Sequence, residues 1–200
     1  MTPPGPPGAP GRPVHVAPER LERWLATFAE RHGGAAPRDG RWVAGDGSWA
    51  VVGDPPPARL GLLLVRRGGF AAGVADGPRL VASKVGRRRV QGRTAAGGWS
   101  QQRFARRREG QARELAGAAA DLAARLLLPA AYDLLVTGGD RPLVGEVLAD
   151  PRLAPLRPLV AERVLDVPDP RLDVLRDALA TARAVPVRVH DVLRDGPPAP

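Results

Sequence analysis

The sequence predicts an α/β fold, a single domain with a mixed β-sheet, an N-terminal helix, a β-meander and then β/α alternation. Three observations predict it. Leu21, Trp24, Leu25 and Phe28 recur at helical spacing near the start. Short apolar runs separated by turn residues fill the stretch from residue 41 to residue 86. Beyond residue 100, helical and strand-like patterns alternate, as they do when helices cover a sheet.

Taken in order, Met1 to Pro13 is rich in Pro and Gly without apolar periodicity and reads as a disordered tail, as does the stretch 195–200. The folded body is residues 14–194. In "APERLERWLATFAERHGG", Pro18 suits a helix start and Gly33 a stop. The runs "RWVA", "SWAVVG", "RLGLLLVRRG", "FAAGVADG" and "RLVASKVG" read as an antiparallel meander. Phe104, Leu115, Ala119, Leu122 and Leu126 then keep helical spacing, predicting one long helix from about Gln102 to Leu128 that ends at Pro129. Its first half is basic and its second half apolar. "YDLLVTGGD" reads as a buried strand with a glycine turn, and "RPLVGEVLADPRLAPL" begins as a helix. "AERVLDV" reads as a strand, "DPRLDVLRDALATARA" as a helix and "VPVRVHDV" as the last strand.

The chain of 200 residues is long enough to bury a substantial core and contains no cysteine. That excludes disulfide frameworks, thiol nucleophiles and thiolate metal sites. No apolar run approaches the roughly 20 residues of a membrane span, and the start lacks the apolar stretch of a signal peptide, so a cytoplasmic protein with no membrane contact is expected. The net charge is +9, and Lys84 is the only lysine among thirty basic residues. With the abundance of Ala, Gly and Pro, the arginine usage reflects a GC-rich genome, so the distribution of charge is more informative than its total. Ten basic residues fall between Lys84 and Arg113 against the single acid Glu109, while the remaining twenty basic and twenty acidic residues balance. All the excess lies in one window, as in a polyanion-binding footprint.

Most other chemistry-bearing residues read as structural. His15, His32 and His190 lack the spacing of a metal site or triad. Asp46, Asp54, Asp76, Asp140 and Asp166 follow strands and suit turns. "VTGGDRP" lacks the lysine and spacing of a phosphate loop and reads as a tight strand-to-helix turn. No metal or cofactor is expected.

The segment "VQGRTAAGGWSQQRFARRREGQ", residues 90–111, sits inside the basic window, just after Arg87, Arg88 and Arg89 and itself containing Arg93. Arg103, Arg106, Arg107 and Arg108 occupy the first turns of the long helix, where the positive end of the helix dipole opposes them unless anions bind. Gly97 and Gly98 remove side chains where a loop could approach a crowded polyanion. Trp99 either packs on the core or stacks on a nucleobase. Gln101 and Gln102, following Ser100, cannot serve as bases, but an amide can orient a water and donate to developing negative charge.

"GGWSQQRFARRREGQ" resembles the Gly-Gly-Gln loop and following helix in the middle domain of the eukaryotic and archaeal class-one peptide chain release factors, with Arg103, Phe104, Ala105 and Arg106 matching an Arg-Phe-Ala-Arg stretch. "YDLLVTGGDRPLVGEVLADPRL" is similar to the next strand, glycine turn and helix of that domain. Trp99 stands where those factors carry their glutamine. The arrangement looks closer to the release-factor-like domain of the ankyrin and zinc-finger protein of ribosome quality control, and above all to an actinobacterial branch described as peptidyl-tRNA hydrolases. The resemblance implies a fold like the release factor middle domain and release of nascent chains from tRNA on stalled ribosomes or large subunits. It implies catalysis by Gln101, supported by Gly97, Gly98, Ser100 and Gln102, and RNA binding by Arg87, Arg88, Arg89, Arg93, Trp99, Arg103, Arg106, Arg107 and Arg108. The implied partners of a monomeric chain are large-subunit rRNA and peptidyl-tRNA. Cleavage of tRNA near its 3′ end and non-catalytic ribosome binding are the alternatives.

Overall fold

The structure, a computed structural model, describes residues 11–87 and 100–195, with residues 100–109 described as backbone only. The chain divides into two compact units, one of residues 1–56 with 181–200 and the other of residues 57–180. Each has a five-stranded sheet. The α/β class read from the sequence is what the structure has, and the sheet of the second unit is mixed. The meander, however, is split: its first two runs belong to one sheet and its last three to the other.

In the first unit, β1 (Arg12–Val16), β2 (Ala35–Arg38), β3 (Arg41–Ala44), β4 (Trp49–Val52) and β10 (Val185–His190) are ordered β1-β10-β4-β3-β2. Each neighbouring pair is antiparallel. β10 alternates cleanly, with Val185, Val187 and Val189 buried and Pro186 and Arg188 exposed, the period of a half-buried strand. β1 begins inside the segment expected to be a tail, and the rest of that segment, residues 1–10, lies outside the described residues. β2 is a further strand without a sequence signal of its own. It exists because Asp39 (φ 48°) and Gly40 (φ 76°) form a two-residue hairpin turn that folds "AAPR" back onto β3. After a 3-10 turn at Pro18–Arg20, α1 (Leu21–Arg31) covers the sheet. Its Phe28 packs with Val16, Ala50, Val187 and Val189.

In the second unit the order is β7-β6-β5-β8-β9, from β5 (Arg59–Arg66), β6 (Gly69–Asp76), β7 (Arg79–Gly86), β8 (Leu134–Gly139) and β9 (Val160–Leu165). β5 is central, antiparallel to β6 and parallel to β8. Its run Leu62, Leu63, Leu64, Val65 is fully buried on both faces, which explains why "LLLV" is continuously apolar rather than alternating. β7 is the exposed edge. α2 (Ser100–Leu126) makes the crossover to β8, and α3 (Arg141–Leu148) and a 3-10 segment (Pro151–Leu159) lead to β9. Leu115, Ala119, Leu122 and Ala123 of α2 share one core with Leu63, Val65 and Phe70 of the sheet and Leu143 and Val147 of α3. Each buried Leu there stabilises the fold by about 1.5–3 kcal/mol through removal from water. α4 (Leu172–Arg183) sets Leu175 against Gly73 of β6, and the short α5 (Val192–Asp195) follows β10.

Candidate functional site

The basic window straddles the exit from β7 and the start of α2. β7 is exposed over most of its length, Lys84 included, and Arg87 directly after it is exposed as well. Arg88, Arg89, Arg93, Gly97, Gly98 and Trp99 lie outside the described residues. Ser100, Gln101 and Gln102 form the first turn of α2, two residues earlier than the sequence periodicity suggests, and Arg103, Arg106, Arg107 and Arg108 fall in the next turns. The 27 residues of α2 give a rod about 40 Å long.

One end of this rod is fixed. Leu115, Ala116, Ala119, Ala120, Leu122 and Ala123 are all at most 5 % exposed, and the alanines keep the helix close to the sheet. Asp121, on the outer stripe of α2, accepts an ion pair from Arg152 at 2.9 Å, and Arg152 also binds Asp150 at 2.7 Å. This hydrogen-bonded guanidinium holds the Asp150 carboxyl down at about 2. Arg157 in turn donates to the last carbonyls of α3, at Leu148 and Ala149, where a cation suits the negative helix end. The sequence does not announce the contacts to Asp121 and to the end of α3, because those partners lie on other elements.

The outer stripe also orders the basic turns. At about 100° per residue, the exposed residues Arg113, Glu114, Gly117 and Asp121 continue upstream through Gly110 to Arg107, Arg106 and Arg103. Arg108 falls towards the stripe of Leu115 and Ala119. Positions 103, 106 and 107 thus fall on the outer side of the helix, spread over about 100° of its circumference. The first turn contains no acidic residue, so no side chain of that turn offsets the positive helix end, and an anion would suit both it and the arginines.

Two groups elsewhere that could act as bases, Tyr132 and His32, are buried. Tyr132, the sole tyrosine, is pushed up to about 12 by burial in the core and stays a protonated phenol at neutral pH. The three histidines all belong to the other unit, where His32 is fully buried with its Nδ1 donating to Asp46 at 2.7 Å. Asp46 also accepts from the Ser48 N–H, the turn role read from the sequence. "VTGGDRP" is a strand-to-helix turn: Asp140 caps α3 by accepting from the Leu143 N–H, and Gly139 sits at φ 101°. Among the described residues no group of three His, Asp or Glu side chains is placed to hold a metal, and no helix is long and apolar enough to cross a membrane.

No curated protein matches this sequence. Among solved structures, the chain is similar to an archaeal translation termination factor, aRF1, at 20 % identity and a TM-score of 0.48. The match covers 62 % of this chain and 34 % of that one, so this protein corresponds to about a third of the archaeal factor. A family model described as "Actinobacteria/chloroflexi VLRF1 release factor" matches residues 58–188. That span takes in well over half of the chain, including all of β5 to β9, the basic window and α2. The protein therefore belongs to the actinobacterial and chloroflexi VLRF1 release factor family.

Proposed function

We propose that this release factor is a peptidyl-tRNA hydrolase that frees nascent chains on stalled ribosomes or large subunits, working from the segment Gly97, Gly98, Trp99, Ser100, Gln101, Gln102. The observation that carries the reading is the start of α2 at Ser100, with two glutamines in a first turn that holds no acid, followed by four arginines within the first nine residues of the helix. Those arginines and the positive helix end suit the phosphates near the tRNA 3′ end and those of rRNA. Gln101 is the first glutamine after the glycine pair and orients the attacking water or donates to the oxygen that gains negative charge. Water oxygen adds to the ester carbonyl, the bond to the ribose oxygen breaks, that oxygen takes up one proton of the water, and the other proton is released to solvent. The products are a peptide carboxylate and a tRNA with an intact 3′ hydroxyl. The protein works without a cofactor, as a cytoplasmic monomer whose partners are the large subunit and its peptidyl-tRNA.

The test is incubation of purified protein with large subunits carrying peptidyl-tRNA, with products resolved by RNA length and peptide attachment. Free peptide with full-length tRNA is expected. Gln101→Ala should lower turnover by about 10²-fold, the scale for losing one positioned donor, with binding little changed. A shortened tRNA would assign the protein to RNA cleavage instead, and tight binding without turnover would make it an occupying factor. A large loss in Gln102→Ala with none in Gln101→Ala would move the catalytic role by one residue.

A further inference from the structure

The first unit contains a cavity of about 430 Å³ bounded by β1, α1 and the end of β10. Its residues lie outside the span 58–188 of the family model, save none: Arg12, Arg20, Arg23 and Arg31 precede it and Val189 and Asp191 follow it. Arg20, at the end of the 3-10 turn, and Arg23, Trp24, Thr27, Phe28 and Arg31 of α1 recur at three- and four-residue steps, so the α1 residues form one helix face with Arg20 at its start. Arg20 to Arg31 spans about 16 Å along the axis, room for several successive phosphates. Arg12 stands opposite Val189 in the β1/β10 register, bringing a further guanidinium to the same cavity.

The interior has two other qualities. Trp24 is half-buried and its ring stacks on Phe28 at 5.8 Å and 9°, which braces the indole as a flat platform. Asp191 lines the cavity with its side chain only 5 % exposed. Its Oδ2 faces Arg31 and His32, each at 3.7 Å, while its buried Oδ1 has no hydrogen-bond partner among the described residues. Arg12 Nε is likewise buried without one. A buried carboxylate oxygen without a donor costs free energy unless a bound group supplies it. The fitting ligand is therefore anionic along the arginine row, planar against Trp24 and an N–H donor towards Asp191. An acidic peptide meets the first requirement but is repelled at Asp191.

We propose that this cavity binds single-stranded RNA, with one base stacked on Trp24, its exocyclic amine donating to Asp191, and the flanking phosphates on Arg20, Arg23, Arg31 and Arg12. Such a site combines the stacking and cationic track by which proteins hold single strands. Bases bearing an amine are preferred over uracil, whose only ring donor lies between two carbonyl oxygens that the carboxylate repels. The cavity belongs to the first unit and α2 to the second, and the inference does not depend on the hydrolase reading.

The test uses the full chain with fluorescein-labelled oligocytidylate and oligouridylate hexamers in anisotropy titrations, and a 5-iodocytidine hexamer for photocrosslinking and peptide mapping. Expected are a crosslink in the peptide containing Trp24, retained in Arg106→Ala/Arg107→Ala, and about fivefold tighter binding of the cytidine hexamer. Trp24→Leu should weaken binding about 5- to 100-fold. The exposed pair Arg20→Ala/Arg23→Ala, which leaves the core untouched, should flatten log K against log salt by about 1.4. Asp191→Asn should erase the preference for cytidine. Crosslinks confined to residues 87–113, or an unchanged salt slope in the arginine pair, would overturn the proposal whatever the outcome of the hydrolysis assay. Equal binding of cytidine monophosphate would replace the RNA strand by a free nucleotide, and displacement of the hexamer by octaglutamate at equal concentration would replace it by an acidic peptide.

Discussion

Two glycines six residues apart are expected to respond to alanine with opposite signs. Gly139 ends β8 at φ 101°, a conformation that costs an L-residue about 1–2 kcal/mol. A Cβ there would lie 2.2 Å from the Val65 carbonyl oxygen, a backbone atom in the central strand that cannot rotate away. That carbonyl also accepts the Asp140 N–H at 2.9 Å, so moving it weakens a buried hydrogen bond worth about 1 kcal/mol. Gly139→Ala should therefore destabilise the unit by about 2–4 kcal/mol, more if the Asp140 cap is lost with the turn. Gly145 lies inside α3, is exposed, and has nothing within 4 Å of its hypothetical Cβ. Gly145→Ala should stabilise by about 0.5–1 kcal/mol through helix propensity. The assay is urea unfolding followed by ellipticity at the helix band, because three of the four tryptophans, Trp24, Trp42 and Trp49, belong to the other unit. With an m-value of about 1–3 kcal/mol/M, the Gly139→Ala midpoint should fall by about 1–2 M while that of Gly145→Ala rises by a few tenths. A wild-type midpoint for Gly139→Ala, or shifts of the same sign in both variants, would refute the reasoning.

Replacing any one of Arg103, Arg106 or Arg107 by alanine should weaken binding to all RNA sequences alike and flatten log K against log salt by about 0.7–0.9; an unchanged slope in the triple variant would reduce these arginines to a solvated face. On the proposed function, peptide release should be independent of the codon and should proceed on isolated large subunits; release from matched complexes with stop or sense codons checks this, and a strong stop-codon preference would require a decoding partner. The Asp150 carboxyl, held down at about 2 by Arg152, contributes stability that is complete above its ordinary value near 3.8 and is lost as pH falls towards 2. Asp150→Asn should therefore flatten acid unfolding between about pH 4 and pH 2, measured by ellipticity.

The sequence by itself determined the elements whose signal is local. The periodicity of Leu115, Ala119 and Leu122 defined α2 to within two residues of its ends; the alternation in "VPVRVH" defined β10; and Gly139 and Asp140 defined the turn into α3. The confinement of the charge excess to residues 84–113 was equally plain, since charge is counted without knowing the fold. What only the tertiary structure decided were the pairings. The apolar runs between residues 41 and 86 look alike as a series, but β3 and β4 join β10 and β1 from opposite ends of the chain, whereas β5, β6 and β7 join β8 and β9. Which strand accepts which is set by long-range burial and register, and neighbours in sequence do not reveal it. β2 has almost no strand propensity and is a strand because β3 and the Asp39–Gly40 turn give it a partner. The arginines of the first unit vanished in the charge count because acids elsewhere in the sequence balanced them. Arg12 from β1, Arg23 and Arg31 from α1 and Asp191 from beyond β10 came together around one cavity only when an antiparallel sheet joined the two ends of the chain.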